Sequence, residues 1–483
     1  MAIKAGNIVH VGNETVVIDR IQTAGPGNLN IPTEKIYELG NYQSVATIRD
    51  VPDLTFSMDS YDVSTEIETM ITGAYAGRTV TDAVTTSADA TVTSATASFQ
   101  TTDVGRLVIL SDVGTAGVEY VSYIASRTSA TSVELADATM PASDTGVTLQ
   151  ILPAKIDLAT CVPVDIASQF KPGIADASPY SVISSVALPF LYMDSMSYRF
   201  GLRDNAQQSA SLRGDSIFYN PGPCYIQTAA GTNSANQTVA TTYAAYEYDG
   251  DGSTRRVLSV SIGSVRLTKG VDYSEAYGTV TAGAAISTIT IFDAVPTTST
   301  IRIVYSSPQA KSYAQNVHAS TTVKPAAVRG KDIEVYIGGY DPNDRDASAT
   351  NKWTGVQSAN IDWRVTLEKD EEFGNYYAVG QDFDVPEVTG SIEIKPRDPS
   401  DLLDKIREAA GESDQYAVLG AQSAVPLELD IVVKDPDTGL PCKRFHVPDA
   451  RFTLPGYSGQ VQQKLTVTMN FDSDGGTLEV SAR

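Results

Sequence analysis

Apolar and polar positions alternate along much of the chain, and this pattern predicts β-strands. Residues 427–434 and 464–471 each place an apolar side chain at every second position, which suits a strand with one buried face. The chain also contains 36 glycines and 23 prolines, which interrupt the alternating runs as turns between short strands do. We therefore predict an all-β protein with short helices.

Two short segments carry helix signals instead. Asp398 followed by Pro399 supplies a cap and a first-turn proline, and the apolar positions that follow predict a helix over residues 399–410. A second helix is predicted over residues 63–72, with Ile67 and Met70 facing inward.

The chain contains an internal repeat. Residues 34–59 align without a gap to residues 368–393, and 12 of the 26 positions are identical, where ordinary amino-acid usage gives about two by chance. The order of later segments is preserved: residues 162–166 resemble 425–429, and residues 206–212 resemble 461–467. One fold is therefore predicted to occur twice.

The difference in residue number between matching segments decreases along the chain because the first copy carries extra residues after its helix. These extra residues are rich in Thr, Ser and Ala, and a further stretch with short β-branched runs separates the two copies. The predicted organisation is copy one at 1–78 and 154–225, an inserted β module at 79–153, a second β module at 236–308, and copy two at 326–483.

The chain is acidic, with a formal net charge of −23. Residues 331–483 hold 15 Lys and Arg against 28 Asp and Glu, so they contribute −13 of that charge. This balance argues against a nucleic-acid binder, which needs a cationic surface for phosphate contacts. The three cysteines, Cys161, Cys224 and Cys442, are too far apart to suggest a disulfide framework or a thiolate metal site.

The repeated motifs resemble those of the tail-tube, or major tail, proteins of long-tailed bacteriophages. The resemblance rests on Gly-Asn-Tyr, then Asp-Val-Pro followed by Asp or Glu, a β run and one short helix. In this chain the motifs are found twice, at residues 40–42 with 50–53 and at residues 374–376 with 384–387. The resemblance covers both copies, which make up about two-thirds of the chain.

The resemblance implies two tandem tail-tube-type β-sandwich or half-barrel domains plus the two added β modules. Family members stack as rings into a hollow tube that conducts the genome, and chains with two fused copies resemble the members that form trimeric, pseudo-hexameric rings. The implied partners are further copies of this chain and the tape-measure, tail-terminator and tail-tip proteins. Double-stranded DNA would pass without specific binding, in a virion tail assembled in the host cytoplasm and without membrane insertion.

An acidic channel wall would repel DNA and reduce friction. The acidic residues on the polar sides of the repeat strands are candidates for lining the lumen, although an ordinary solvated strand face would look the same. These candidates are Asp59, Glu393, Asp165, Glu428 and Asp430.

The Gly-Asn-Tyr segments are predicted to be hairpin loops that contact a neighbouring ring or subunit. The alternative is a plain surface hairpin whose glycine only serves the turn. The residues concerned are Gly40, Asn41, Tyr42, Gly374, Asn375 and Tyr376.

Other functions find less support in the sequence. No catalytic motif is present, and the carboxylates of 249–253 and 341–346 do not continue into a calcium-loop pattern, so we predict no enzyme activity, no cofactor and no metal site. Arg213-Gly-Asp215 is read as a turn rather than an adhesion tripeptide. The alternative function is a phage fibre, baseplate or decoration protein that attaches to the host or capsid.

Overall fold

In the structure, a computed structural model, the regular secondary structure of the described residues is almost entirely β-strand, which confirms the all-β prediction. Among the residues it describes there are one α-helix and two 3-10 helices, Thr101–Asp103 and Gly330–Asp332. The described residues are 8–12, 18, 21–26, 29–36, 46–49, 51–61, 66–72, 78–104, 106–111, 113–114, 119–136, 140–151, 156–157, 163–170, 180–247, 256–313, 328–340, 351–371, 377–395, 426–434, 441–458 and 466–482.

The first part of the chain forms short strands and the helix. In the fifth strand the side chains of Leu54, Phe56 and Met58 are buried between exposed neighbours, so one face of that strand enters the core. Ile67 and Met70 of the helix are also buried, as predicted. The elements are β1 Ile8–Gly12, β2 Ile21–Pro26, β3 Thr33–Ile36, β4 Ala46–Arg49, β5 Leu54–Ser60 and α1 Glu66–Thr72.

The region predicted as an inserted module forms a closed six-stranded barrel around its own apolar core. Arg78, at its start, pairs with Ile151, at its end, so the barrel returns the chain to the place where it left the main fold. Its strands are β6 Arg78–Thr85, β7 Thr91–Thr93, β8 Leu107–Ser111, β9 Glu119–Ser129, β10 Ser132–Leu135 and β11 Asp144–Ile151.

After the barrel the chain returns to the main sheet. The longest strand of this part has 18 residues and contains a sharp bend at Phe190, whose φ of 61° is unusual for a non-glycine residue. The strands are β12 Ile156–Asp157, β13 Val164–Phe170, β14 Tyr180–Ser181, β15 Ser184–Gly201, β16 Gln207–Gly214 and β17 Phe218–Asn220.

A second added module follows, built from a four-stranded and a three-stranded sheet that enclose a separate core. Its first strand precedes the predicted start at residue 236 and pairs with its last long strand, from Cys224↔Ser306 onward. The strands are β18 Cys224–Ala230, β19 Gln237–Ala240, β20 Ala245–Tyr246, β21 Val257–Ile262, β22 Val265–Arg266, β23 Tyr273–Tyr277, β24 Ala284–Ala285, β25 Ser287–Ile291, β26 Thr300–Ser306 and β27 Ser312–Tyr313.

The described residues of the last part of the chain include nine strands. The strand predicted at 427–434 is present and is buried on both faces apart from the exposed Glu428 and the partly buried Lys434, and the one predicted at 464–471 is found at 466–473. The predicted helix at 399–410 lies outside the described residues. The strands are β28 Ile333–Ile337, β29 Val356–Arg364, β30 Leu367–Asp370, β31 Gly380–Phe383, β32 Glu387–Ile394, β33 Leu427–Lys434, β34 Pro441–Ser458, β35 Thr466–Ser473 and β36 Glu479–Ala482.

The strand pairing of the two repeats is the same. In the first repeat β2, β5, β16, β15, β13 and β1 pair in that order, and in the second repeat β29, β32, β35, β34, β33 and β28 do so. Equivalent strand pairs also share irregularities in register. One is found in both β2–β5 and β29–β32, and another in both β13–β15 and β33–β34. The hairpins β3–β4 and β30–β31 have identical lengths and pairings, 334 residues apart (33 to 367).

One aligned segment is displaced. The sequence comparison set residues 206–212 against 461–467, an offset of 255. In the sheets Gln208 pairs with Ser60, and Val467 pairs with Ile394, so 208 corresponds to 467 and the offset is 259. The two offsets differ by four residues and keep the same strand face, so the backbone pairing with β5 and β32 decides between them.

The two repeats are joined edge to edge. The second part of β15 pairs with β29 from Ser195↔Arg364 to Gly201↔Ser358. This produces one continuous antiparallel sheet in the order β34-β35-β32-β29-β15-β16-β5-β2. The apolar side of the sheet packs into a single core to which both repeats contribute, with Phe56, Trp363 and Phe445 among its fully buried side chains.

Candidate functional site

One face of the continuous sheet is polar from end to end. Because paired residues on neighbouring strands share a face, the register places one row of side chains across all eight strands. This row and the positions two or four residues from it on each strand are here called the polar face. The row is Thr23, Asp59, Ser209, Ser197, Asp362, Thr389, Asp472 and Arg451.

Hydrogen bonds between side chains tie this row together. Asp59 accepts hydrogen bonds from Thr23 at 2.5 Å and from Ser209 at 2.6 Å, and these two bonds lower the pKa of Asp59 below its ordinary value. Across the junction between the repeats, the Ser197 hydroxyl donates to Asp362 at 2.5 Å. The face is therefore a hydroxyl-rich surface on which Asp59 is ionised at neutral pH.

Three arginines of the polar face are paired with carboxylates, whereas the exposed Arg199, two residues from Ser197, acts on Asp59 only through its charge. Arg364 lies 2.6 Å from Glu387, Arg451 lies 2.5 Å from Asp474, and Arg213 lies 3.4 Å from Asp53. A guanidinium already bound to a carboxylate is a weaker site for a phosphate, because it must first give up that partner. The face thus carries charges of both signs in a locally balanced arrangement.

The predicted lumen residues separate into exposed and buried groups. Asp59 and Glu393 lie on the polar face. Glu428 is exposed but belongs to β33, which pairs with β28 and β34 outside the eight-stranded row. Asp165 and Asp430 are buried, with 3% and 0% exposure. A buried carboxylate cannot face a water-filled channel, so Asp165 and Asp430 do not fit the predicted role of lumen-lining residues.

The buried carboxylates have structural roles instead. Asp165 accepts a hydrogen bond at 2.8 Å from the backbone N–H of Phe190, at the bend of β15, and lies 3.5 Å from Arg302. Asp430 contacts Arg444 at 2.7 Å and His446 at 2.8 Å. Burial by itself would raise the pKa of Asp430, but the Arg444 charge and the His446 hydrogen bond outweigh it, so the pKa of Asp430 is lowered.

The Gly-Asn-Tyr residues, Gly40 to Tyr42 and Gly374 to Tyr376, lie outside the described residues. The strands that flank them pair as the hairpins β3–β4 and β30–β31. The base of the second hairpin reaches into the first repeat: Lys369 donates a hydrogen bond at 2.6 Å to the backbone oxygen of Pro52 and lies 3.4 Å from Asp53. Sequence reasoning missed this contact, although both partners belong to the repeated motifs.

A buried arginine fastens the second added module to both repeats. Arg266 binds Asp215 of the first repeat at 2.7 Å, its backbone N–H donates to Val379 of the second repeat, and its guanidinium lies 4.4 Å from the ring centre of Tyr377. The other oxygen of Asp215 accepts the N–H of Ala378 at 2.9 Å. Since Asp215 is only 3% exposed, Arg213-Gly-Asp215 cannot present it for adhesion.

Within the described ranges, no group of three or more His, Cys, Asp or Glu side chains could hold a metal ion. The carboxylate loops at 249–253 and 341–346 are not among the described residues. No helix in the described part of the chain is both long and apolar enough to span a membrane. Comparison of the sequence with protein-family models and with curated proteins gives no match.

Proposed function

We propose that this chain is the structural subunit of a bacteriophage tail tube, in which three chains close into a pseudo-hexameric ring. The observation that carries the proposal is the junction of β15 with β29, which joins two equally paired repeats into one continuous sheet. A contact that joins one repeat to the next can be used again between chains. Such head-to-tail repetition gives a closed ring when the rotation closes.

The width of the channel supports three chains per ring. Eight strands from each of three chains give 24, and at a spacing of about 4.8 Å untilted strands form a circle about 37 Å across, which any tilt would widen. Side chains on the wall take about 5 Å from each side, half the usual distance between stacked sheets, which leaves a bore of about 27 Å. This exceeds the summed groove depths of B-DNA, about 16 Å. A ring of three chains is therefore wide enough for duplex DNA.

The polar face is assigned to the inside of this ring. The opposite face is covered by the core, by β13, β33 and α1, and the second added module is fastened on that part of the fold through β15 and β21. These layers need more room than the bore provides, so they belong outside. Both added modules then project from the outer surface.

The composition of the polar face suits a wall along which DNA slides. Each free Lys or Arg on a phosphate would release counterions and add adhesion, and the effect would multiply over stacked rings. Three paired arginines and a background of Ser and Thr keep this adhesion low, and the charge of Arg199 is offset in part by the nearby Asp59. The proposed wall is thus hydroxyl-rich and charge-balanced, and less acidic than the net charge of the chain suggests.

In this proposal the rings stack into the tube of a virion tail that is assembled in the host cytoplasm. The tube would enclose the tape-measure protein, end at the terminator and tip proteins, and conduct the DNA into the host. These partners derive from the resemblance of the repeated motifs to tail-tube proteins.

Electron microscopy of the purified full-length protein, combined with its mass in solution, tests the proposal. We expect rings or tubes with sixfold-looking symmetry, three chains per ring and an open centre. A compact monomer that binds cells or glycans and never forms rings would refute the proposal and support the fibre, baseplate or decoration alternative.

A further inference from the structure

The contact between the two repeats uses residues that occur in both of them. Lys369 and its acceptors Pro52 and Asp53 lie in segments that align at the offset of 334. The same offset relates Lys369 to Lys35, because 35 plus 334 is 369, and it relates Pro52 and Asp53 to Pro386 and Glu387. Each chain therefore has a second lysine and a second acceptor segment of the same kind.

The second set is more exposed than the first. The side chain of Asp53 is 32% exposed and that of Lys369 is 19% exposed. By contrast, the side chain of Glu387 is 58% exposed, and Lys35 is exposed.

The valine of the Asp-Val-Pro motif is also more exposed in the second repeat than in the first. Val51 is partly buried beside the junction, but its counterpart Val385 is 74% exposed. Val385 and Glu387 thus leave exposed two positions whose counterparts in the first repeat are partly buried at the contact with the second repeat.

The strand edges above these residues also correspond. β29 uses its outer edge to pair with β15, and its counterpart β2 ends the sheet. The second part of β15, which binds β29, corresponds to the end of β34 at an offset of 259. The junction pair Arg199↔Asn360 therefore translates to Ser458↔Gly25. Among the described strands, none pairs with the outer edge of β2.

From this correspondence we infer that a second copy of this chain docks through Lys35 onto the Pro386–Glu387 segment. Lys35 of one subunit donates to the backbone oxygen of Pro386 and faces Glu387 of the next, while β2 extends the sheet along the end of β34. The inference rests on the proposed function, since it specifies how one subunit of the ring meets the next. The occupant is another copy of this chain because the surface complementary to Lys35 and β2 belongs to the chain itself, at Pro386, Glu387 and the end of β34.

Zero-length carbodiimide cross-linking, which joins an amine to a carboxylate in direct contact, tests the inference in assembled wild-type protein. Mass spectrometry should identify a Lys35–Glu387 link that is present in rings, joins two chains on a denaturing gel and disappears in isolated monomers. The Lys369–Asp53 link within each chain is the matched internal control and should occur in both samples.

Variants add an independent readout of assembly. Lys35→Ala should lower the ring-forming fraction at least tenfold at a fixed protein concentration, whereas Lys331→Ala, which removes a lysine that is 70% exposed elsewhere, should not change it. Rings that contain the Lys369–Asp53 link but never the Lys35–Glu387 link, and that tolerate Lys35→Ala, would overturn this inference and leave the proposed function standing. A protein that forms no rings would overturn both.

Discussion

A buried ion pair couples the helix of the first repeat to the second repeat, and its removal gives a quantitative prediction. Glu68 of α1 is 0% exposed and lies 2.8 Å from the ammonium of Lys443 in β34, which is 1% exposed. Glu68 also accepts a hydrogen bond at 2.7 Å from Tyr198 of β15. At an effective dielectric constant of about 20, charges at this separation attract by about 6 kcal/mol. Desolvation offsets part of this, so Glu68→Gln should cost about 3–5 kcal/mol of unfolding free energy.

Chemical denaturation followed by tryptophan fluorescence measures this cost, since Trp353 and Trp363 both lie in the second repeat. The double variant Glu68→Gln with Lys443→Met is the control, because it removes both charges while keeping similar volumes. It should recover most of the loss, as buried pairs replaced by apolar groups commonly do. A loss below about 1 kcal/mol in the single variant, or a double variant no better than the single one, would refute the reasoning.

Three further predictions follow from local geometry. Replacing barrel residues 78–151 by a short Gly-Ser linker should leave ring formation unchanged, since the barrel ends are paired neighbours; loss of rings on micrographs would contradict this. Gly390→Ala should lower the unfolding free energy by about 1–3 kcal/mol because the new Cβ would lie 2.4 Å from the Phe471 ring, whereas Gly25→Ala, with open space around it, should be nearly neutral in the same denaturation assay. Asp430→Asn should lower the melting temperature at pH 6, and the gap to wild type should close as the pH falls below 3.8, because the stabilisation from a lowered pKa is lost in acid; a constant gap would be inconsistent.

The sequence predicted those parts of the fold that depend on short-range pattern. The ungapped alignment of 34–59 with 368–393 located both hairpins and the strands that follow them, because turn residues and alternation are local features. The displaced alignment of 206–212 had the opposite cause. A shared Gln-Gln pair suggested one alignment, while the backbone pairing with β5 and β32 gives another that differs by four residues.

The candidate site was harder to predict from the sequence than the fold, because its contacts join residues far apart in the chain. Alternation placed Asp165 and Asp430 on polar strand faces, yet β13 and β33 are covered on both sides, and their counter-charges Arg302 and Arg444 lie on other strands. Lys369 meets Pro52 across 317 residues of chain. No local pattern carries that information, although the repeat itself could have shown that both partners occur twice.

Fusion of the two repeats has a consequence for how quickly such a ring could grow and what it could carry. Half of the repeat-to-repeat contacts are already made when a chain folds, so a ring of six units would need only two diffusive encounters between chains, and the tethered half forms at high effective concentration. Fusion also allows the two units to diverge. The barrel and the second module each occur once per chain, so a ring of three chains would display three of each at 120° intervals. Its outer surface would then have threefold symmetry, while its channel would have nearly sixfold symmetry.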